Sequence, residues 1–201
     1  MKTHLVLLAF ALTVAGTSCD QNNRSETQSA APATDTATVD PDKHASYDPA
    51  QPAIDVDWDE LQKDLNEETF PEIKGKNVKI RGNKDRTVYS IDEQVLFDTD
   101  KATIRSGAEN DLKKIAASLT QRYPEGRIYV QGHTDAEGSK PENQALSKDR
   151  ADAVKQWLIR EGQVKEDRIT ARYLGEHRPA GSNATAEGRQ QNRRVEIMAV
   201  K

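Results

Sequence analysis

Cysteine and histidine are scarce in this chain of 201 residues, and this scarcity limits the chemistry that the chain can carry out. The single cysteine, Cys19, excludes an intrachain disulfide and lies too near the N-terminus to be expected as a catalytic nucleophile. Of the four histidines, only His133 and His177 lie beyond residue 50, and no H-x-x-x-H or C-x-x-C spacing occurs. We therefore expect no metal site and no cofactor.

A net positive charge and catalytic sequence patterns are also missing. The formal net charge of −4 gives little attraction for phosphate groups, so nucleic acid is not an expected partner. The sequence contains no G-x-S-x-G, P-loop or dinucleotide-binding glycine pattern. Paired carboxylates such as Asp98 and Asp100 are weak evidence for acid–base catalysis, because such pairs more often cap the next helix. We expect a binding protein rather than an enzyme.

The N-terminus has the features of a secretory signal peptide. Lys2 precedes an apolar run from Leu5 to Val14, which is well short of the roughly 20 apolar residues that a spanning helix needs. Small residues then precede Cys19, and this arrangement resembles the lipobox of bacterial lipoproteins, in which the thiol is acylated. We predict a signal peptide over residues 1–18 and a lipid on Cys19. The alternative is cleavage at the small residues, with Cys19 as an ordinary thiol.

Residues 19–53 have the composition of a disordered tether. They are mostly Ser, Thr, Ala, Gln, Asn, Asp and Pro, so they cannot bury enough apolar surface to offset their chain entropy. A coil of this length spans roughly 30 Å. With a lipid at its start, it would let a folded domain reach a target away from the membrane surface. A low-complexity tail without that role is the alternative.

Apolar periodicity and turn residues predict the elements of the folded part. Alternation over residues 78–91 predicts a hairpin, and Trp58 opens a short amphipathic stretch at helical spacing. Ser106 to Glu109 and Ser139 to Glu142 each fit a capping box that opens a helix. Strands are predicted at residues 95–97, 127–130, 168–174 and 194–200.

This order, a hairpin followed by β-α-β-α-β-β, predicts an α/β (α+β) sandwich. Helices that connect strands require crossovers, so at least one pair of strands should be parallel. Each helix has one apolar stripe, so the two main helices should lie on one face of a mixed sheet of four or more strands. We assign residues 54–90 to an extension of a short helix and a hairpin, and residues 91–201 to the main domain.

The stretch GHTDAEGSKPENQALSKDRADAV, residues 132–154, combines a loop with the start of the second helix. Asn143, Leu146 and Arg150 are spaced three and four apart, so they share one helix face, and the loop with Asp135 leads into that helix. A carboxylate and a guanidinium placed in this way can together hold a zwitterion. The alternative is a solvated charged face.

Five motifs in this order resemble the OmpA-like domain found in the peptidoglycan-associated lipoprotein and in flagellar stator proteins. They extend over residues 95–197: VLFDTDKATI, GHTD, GSKPENQALSKDRADAV, LGEHRPAGSNATAEGR and NRRVEI. The resemblance implies non-covalent binding of peptidoglycan through the diaminopimelate of its stem peptide. It also implies that Asp135 and Arg150 form the principal clamp, and that the other ligand-binding residues are Phe97, Asp98, Thr99, Asp100, Asn143, Leu146 and either Arg193 or Arg194.

Together these features predict an envelope protein whose lipid anchor holds it in the outer membrane, with its domain facing the periplasm and bound to peptidoglycan. Two alternatives remain open. The domain could mainly dock other envelope proteins, as the peptidoglycan-associated lipoprotein does with its Tol partners. The second alternative is a cell-wall hydrolase that uses His133 and Asp135, although the sequence offers such an enzyme no nucleophile and no set of metal ligands.

Overall fold

The computed structural model describes residues 58–201, so the predicted signal peptide, Cys19 and the tether lie outside the described residues. Short 3₁₀ turns occur at Ser106–Ala108 and Glu166–Arg168. In chain order the helices and strands are α1 (Trp58–Gln62), β1 (Asn66–Glu67), β2 (Val78–Gly82), β3 (Arg86–Asp92), α2 (Glu93–Leu96), α3 (Glu109–Arg122), β4 (Arg127–His133), α4 (Lys140–Arg160), β5 (Ile169–Gly175), α5 (Ala186–Asn192) and β6 (Arg194–Val200).

The strands form one mixed sheet of six strands in the order β1-β2-β3-β6-β4-β5. All neighbouring strands are antiparallel except β4 and β5, which are parallel and are connected through α4. The predicted hairpin is present as β2 and β3, and the predicted parallel pair is confirmed. The last strand, β6, lies in the middle of the sheet, and the predicted boundary between residues 90 and 91 falls inside β3.

Helices α3 and α4 pack on the same face of the sheet, as the sequence predicts. Leu112 and Leu119 of α3 and Leu158 of α4 are completely buried in one apolar cluster with Ile128 and Ile197 of the central strands. This continuous cluster is the core of the domain. Burial of its side chains stabilises the folded state by roughly 25 cal/mol for each Å² of apolar surface removed from water. It fixes both helices to the sheet.

A smaller apolar cluster lies on the other face of the sheet. Trp58 of α1 packs edge-on against Tyr129, with ring centroids 4.8 Å apart, and Val88 and Met198 complete the cluster. The guanidinium of Arg172 lies 3.8 Å from the centre of the Trp58 ring, a cation–π contact. Helix α1 therefore covers one end of the outer face.

The segment before the hairpin is fixed to α3 by an ion pair as well as by Phe70 and Ile73 in the core. Glu72 accepts hydrogen bonds from Arg122 Nε at 2.7 Å and Nη2 at 3.2 Å, and from Ser118 Oγ at 2.8 Å. The hydrogen bond from Arg122 is the largest cause that lowers the pKa of Glu72 to about 2. Residues 70–73 are thus an integral part of the folded unit.

The strand predicted at residues 95–97 is wrong. Glu93–Leu96 form one helical turn, and Phe97 makes only an isolated bridge with Ile104. Leu96 and Phe97 are both buried in the main core. Consecutive residues of a strand point to opposite faces, so a helical turn is what lets both side chains enter the same core.

The two capping boxes have different outcomes. Ser106 begins a 3₁₀ turn, and α3 starts at Glu109 without a side-chain cap, because buried Ala108 continues the turn into the helix. That capping box is therefore wrong. The box at α4 is confirmed: Ser139 accepts a hydrogen bond from the backbone of Glu142, and the Glu142 carboxylate accepts one from the backbone of Ser139 at 3.1 Å.

Gly132 sets how closely α4 lies over β4. A Cβ atom at this position would be 2.1 Å from the carbonyl oxygen of Ser147, so only glycine allows this contact between strand and helix. Ser147 Oγ also accepts a hydrogen bond from the backbone of Gly175 at 3.1 Å. The strand end that leads into the loop with Asp135 is thereby fixed against the middle of α4.

We expect Gly132→Ala to destabilise the protein by about 2–3 kcal/mol, because the added methyl group collides with the backbone of α4. Gly107→Ala is the matched control, since a Cβ atom there would meet nothing within 4 Å, and its effect should stay within about 0.5 kcal/mol. Urea unfolding of both variants measures the difference. Equal stability of the two variants would contradict this account of the contact.

Candidate functional site

An open cleft of about 670 Å³ lies where α2, the loop after it, the loop after β4 and the first turns of α4 meet. Most of the residues predicted from the sequence to bind a ligand line this cleft. The structure brings together nine of the ten: Phe97, Asp98, Thr99, Asp100, Asp135, Asn143, Leu146, Arg150 and Arg193. Their role as ligand contacts stays a prediction.

Arg194 is the predicted ligand residue that lies elsewhere. Arg193 is the C-cap residue directly after α5. Arg194 begins β6, where it is buried beside a second cleft of about 790 Å³. Its Nε donates to Glu196 at 2.9 Å, and its Nη1 and Nη2 donate to the carbonyls of Asn192 and Arg178, each at 3.3 Å. Of the two arginines, Arg193 lines the first cleft and Arg194 the second, and a ligand contact of either one stays a prediction.

Four charged side chains form an ion-pair chain along the floor of the first cleft: Arg150, Glu93, Arg193 and Asp135. Arg150 Nη1 donates a short hydrogen bond to Glu93 Oε2, and Glu93 Oε1 lies 3.5 Å from Arg193 Nε. Arg193 Nη1 in turn donates to Asp135 Oδ2 at 2.5 Å. Positive and negative charges alternate along the chain, so each buried charge has a partner of opposite sign.

Glu93 is a residue of the site that the sequence reasoning missed. It is 57 residues from Arg150 along the chain, so no local spacing connects the two. The only sequence feature that links Glu93 to the site is its position four residues before Phe97. This spacing indicates that the two residues lie close together only if residues 93–96 form a helical turn.

The guanidinium of Arg150 is positioned by contacts on several sides. Besides the pair with Glu93, its Nε donates to the carbonyl of Lys101 at 3.2 Å, and its carbon lies 5.5 Å from the centre of the Phe97 ring. Arg150 is 2% exposed, so these contacts replace most of its hydration. Among the described residues, Nη2 is the nitrogen of this group for which no protein acceptor is found.

The loop that carries Asp135 is held by α4. Asn143 Nδ2 donates to the carbonyls of Asp135 at 3.2 Å and of Glu137 at 3.0 Å, and Asp135 Oδ1 accepts a hydrogen bond from the backbone of Glu137 at 3.1 Å. Asn143 therefore supports the loop in addition to lining the cleft. Asp135 is 5% exposed, yet a carboxylate has room for further donors beyond the two it has here.

The rim of the cleft is more exposed than its floor. The side chain of Asp98 is 57% exposed and lies 3.6 Å from both Lys101 Nζ and Arg105 Nε. Asp100 has a φ of 55°, a left-handed conformation that aspartate tolerates better than most residues. Thr99 between them is also exposed. These residues form the entrance that a ligand would meet first.

His133 does not line the first cleft; it is buried beside the second one. Within residues 58–201 neither ring nitrogen has a hydrogen-bond partner, and Nε2 lies 3.8 Å from Glu196 Oε2. Burial, together with the positive charge of Arg194, lowers the pKa of His133 to about 3. Among the described residues the His133 ring therefore makes no hydrogen bond to the loop that carries Asp135.

A metal-binding cluster is not found in the described part either, where no group of three or more His, Cys, Asp and Glu side chains comes together. Among the described helices, none is long and apolar enough to cross a membrane.

We expect the His133 ring to remain neutral across the range in which an ordinary histidine titrates. Its folded pKa of about 3 lies below the usual value of 6.5, so the neutral ring stabilises the fold above pH 6.5, and this contribution is lost as the pH falls towards 3. An NMR titration of the ring resonances, assigned with a His133→Gln variant, checks this. A midpoint above pH 5 would contradict the burial of the ring.

The chain is similar to several known proteins. The model of the OmpA family matches residues 96–193. Outer membrane porin F of Pseudomonas fluorescens is 45% identical over 109 residues, which cover 54% of this chain and 33% of porin F. The probable lipoprotein YiaD of Escherichia coli (strain K12) is 38% identical over 125 residues, which cover 62% of this chain and 56% of YiaD.

The chain thus spans about a third of the first relative and somewhat more than half of the second. Among solved structures, the cell wall anchor of the T6SS from Pseudomonas aeruginosa aligns with a TM-score of 0.56 and 32% identity, over 62% of this chain and 87% of that one. The resemblance drawn from the five sequence motifs is confirmed. The chain belongs to the OmpA family, and residues 96–193 are its OmpA domain.

Proposed function

We propose that this chain binds peptidoglycan without turnover, through the first cleft and the diaminopimelate of a stem peptide. The observation that carries the proposal is the meeting of Asp135 and Arg150, from two different elements, in one cleft. Membership of the OmpA family supports it, as does the similarity to a structure described as a cell wall anchor.

The far end of diaminopimelate carries an ammonium and a carboxylate on the same carbon atom, and the cleft offers a partner for each. The ammonium would donate to Asp135, which has acceptor capacity beyond its pair with Arg193. The carboxylate would accept from Nη2 of Arg150. Each such charge-assisted hydrogen bond contributes roughly 1.5–3 kcal/mol when it is well formed, so a few of them suffice for specific binding.

The rest of the chain would connect this domain to a membrane. A lipid on Cys19 and a tether over residues 19–53 would hold the domain at the outer membrane while the cleft faces the periplasm. The names of the relatives support this arrangement, since one is an outer membrane protein and another is a probable lipoprotein. Such a protein would hold the membrane to the cell wall and support the integrity of the envelope.

The geometry favours this function over the alternative of a hydrolase. His133 and Asp135 are two residues apart in sequence, but Asp135 lines the first cleft and His133 the second. A general acid or base must come within hydrogen-bond reach of the same substrate atoms as its partner, and these two side chains do not share a cleft. Docking of Tol-type proteins, the other alternative, stays a prediction.

Asp135→Asn should weaken binding of a synthetic stem tripeptide that ends in meso-diaminopimelate by at least about tenfold, a loss of roughly 1.4 kcal/mol or more. The substitution keeps the size of the side chain but removes the charge that would attract the ammonium. Isothermal titration calorimetry with the purified full chain measures the affinity, and sedimentation with intact sacculi tests the polymer.

Asp149→Asn is the matched control, because it makes the same change of charge at an exposed position of α4 outside the cleft. Its affinity should stay within about twofold of that of the unaltered chain. Equal affinity of the Asp135 and Asp149 variants would count decisively against the proposed function.

A further inference from the structure

Glu93 occupies the centre of the ion-pair chain without being needed as a direct partner of the proposed ligand. It is 8% exposed, and its carboxylate contacts the guanidinium groups of both Arg150 and Arg193. Its backbone N–H also donates to the carbonyl of Arg193 at 3.0 Å. A carboxylate in this position reduces the attraction of both arginines for an anion, so its presence in an anion-accepting cleft calls for a physical reason.

Counting charges on the floor of the cleft gives that reason. With Glu93 present, two acids (Glu93 and Asp135) balance two arginines (Arg150 and Arg193), and the floor has no net charge. Without the charge of Glu93 the floor would carry a net charge of +1. A positively charged, poorly hydrated floor would accept any carboxylate, whereas a balanced floor favours a ligand that brings both signs.

The contacts of Arg150 act in the same direction. Glu93 takes one hydrogen bond from Nη1, and the carbonyl of Lys101 takes that of Nε. A guanidinium can hold a carboxylate with two parallel bonds along two edges, Nε with Nη2 and Nη1 with Nη2, and each edge of Arg150 thus has one nitrogen already engaged. A ligand carboxylate is left with the end of the group at Nη2. This limited contact beside a negative charge gains less than the usual two-pronged pairing, so a second attraction is needed for firm binding.

We propose that Glu93 makes this cleft selective for a zwitterionic end group over a plain carboxylate. The inference rests on the proposed function and names the residue that sets its ligand specificity. Glu93 is a positioning and charge-balancing residue: it acts through the two arginines, and Asp135 supplies the attraction for the ammonium that a plain carboxylate lacks.

Three stem tripeptides test this inference when they are titrated into the full chain by calorimetry. The first ends in meso-diaminopimelate, the second in 2-aminopimelate, which lacks the far ammonium, and the third in lysine, which lacks the far carboxylate. The unaltered chain should prefer the first peptide over the second by at least about tenfold. In Glu93→Gln the 2-aminopimelate peptide should gain affinity, so that this preference falls at least about fivefold, while the lysine peptide gains nothing.

Two controls separate charge from structure. Glu93→Asp keeps the charge and should retain most of the preference. Glu109→Gln removes a half-exposed acid on α3, outside the cleft, and should change the preference less than about twofold. Thermal melting of each variant shows whether it is folded. Glu93→Ala serves as a second neutral variant if Glu93→Gln does not fold.

The possible results are distinct. If the unaltered chain binds none of the peptides, the proposed function fails and this inference fails with it. If the unaltered chain prefers diaminopimelate but neutral variants of Glu93 lose affinity for all peptides by a common factor, or lose none, the proposed function stands and the role of Glu93 in selectivity is overturned. Failure of both neutral variants to fold would also overturn it, since Glu93 would then be required for the fold.

Discussion

The cleft depends on one constraint, which is that a guanidinium almost completely removed from water has to be surrounded by acceptors. Arg150 is such a group, and its acceptors come from segments that are distant in sequence: the carboxylate of Glu93 at the start of α2 and the carbonyl of Lys101 in the following loop. Satisfying Arg150 therefore fixes both segments against α4. The walls of the cleft are a consequence of this pairing.

The sheet supplies the frame that brings Arg150 to this place. Because Gly132 allows the backbone of β4 to contact Ser147, α4 lies close over the strand, and the loop that leaves β4 ends beside the first turns of the helix. The capping box at Ser139 starts the helix at a defined residue, and Asn143 binds the loop. Arg150 then follows two turns later on the face that Asp135 also approaches.

Much of this arrangement could be predicted from the sequence, wherever the signal was local. The apolar stripe of α3, the face of α4 that carries Leu146 and Arg150, and the late strands were all predicted from spacing within one element. The family motifs then indicated which residues meet. The turn at residues 93–96 was missed because an apolar run resembles a strand until both Leu96 and Phe97 are seen to enter one core.

Contacts between distant segments were beyond the reach of sequence patterns. Nothing in the sequence connects Glu93 with Arg150. Before the end of α5 was known, neither Arg193 nor Arg194 could be preferred as the arginine that lines the first cleft. The 3₁₀ turn that replaces the first capping box depends in the same way on the burial of Ala108, a tertiary effect. The missed features thus lie where packing decides local structure.

The most direct test of the central claim is a crystal structure of the full chain in complex with a stem peptide that contains meso-diaminopimelate. The account predicts that the far ammonium of the ligand lies within hydrogen-bond distance of Asp135 and that the far carboxylate accepts from Nη2 of Arg150, with Glu93 still paired to both arginines. A ligand bound in the second cleft beside Arg194, or in the first cleft with its zwitterionic end directed into solvent, would contradict it.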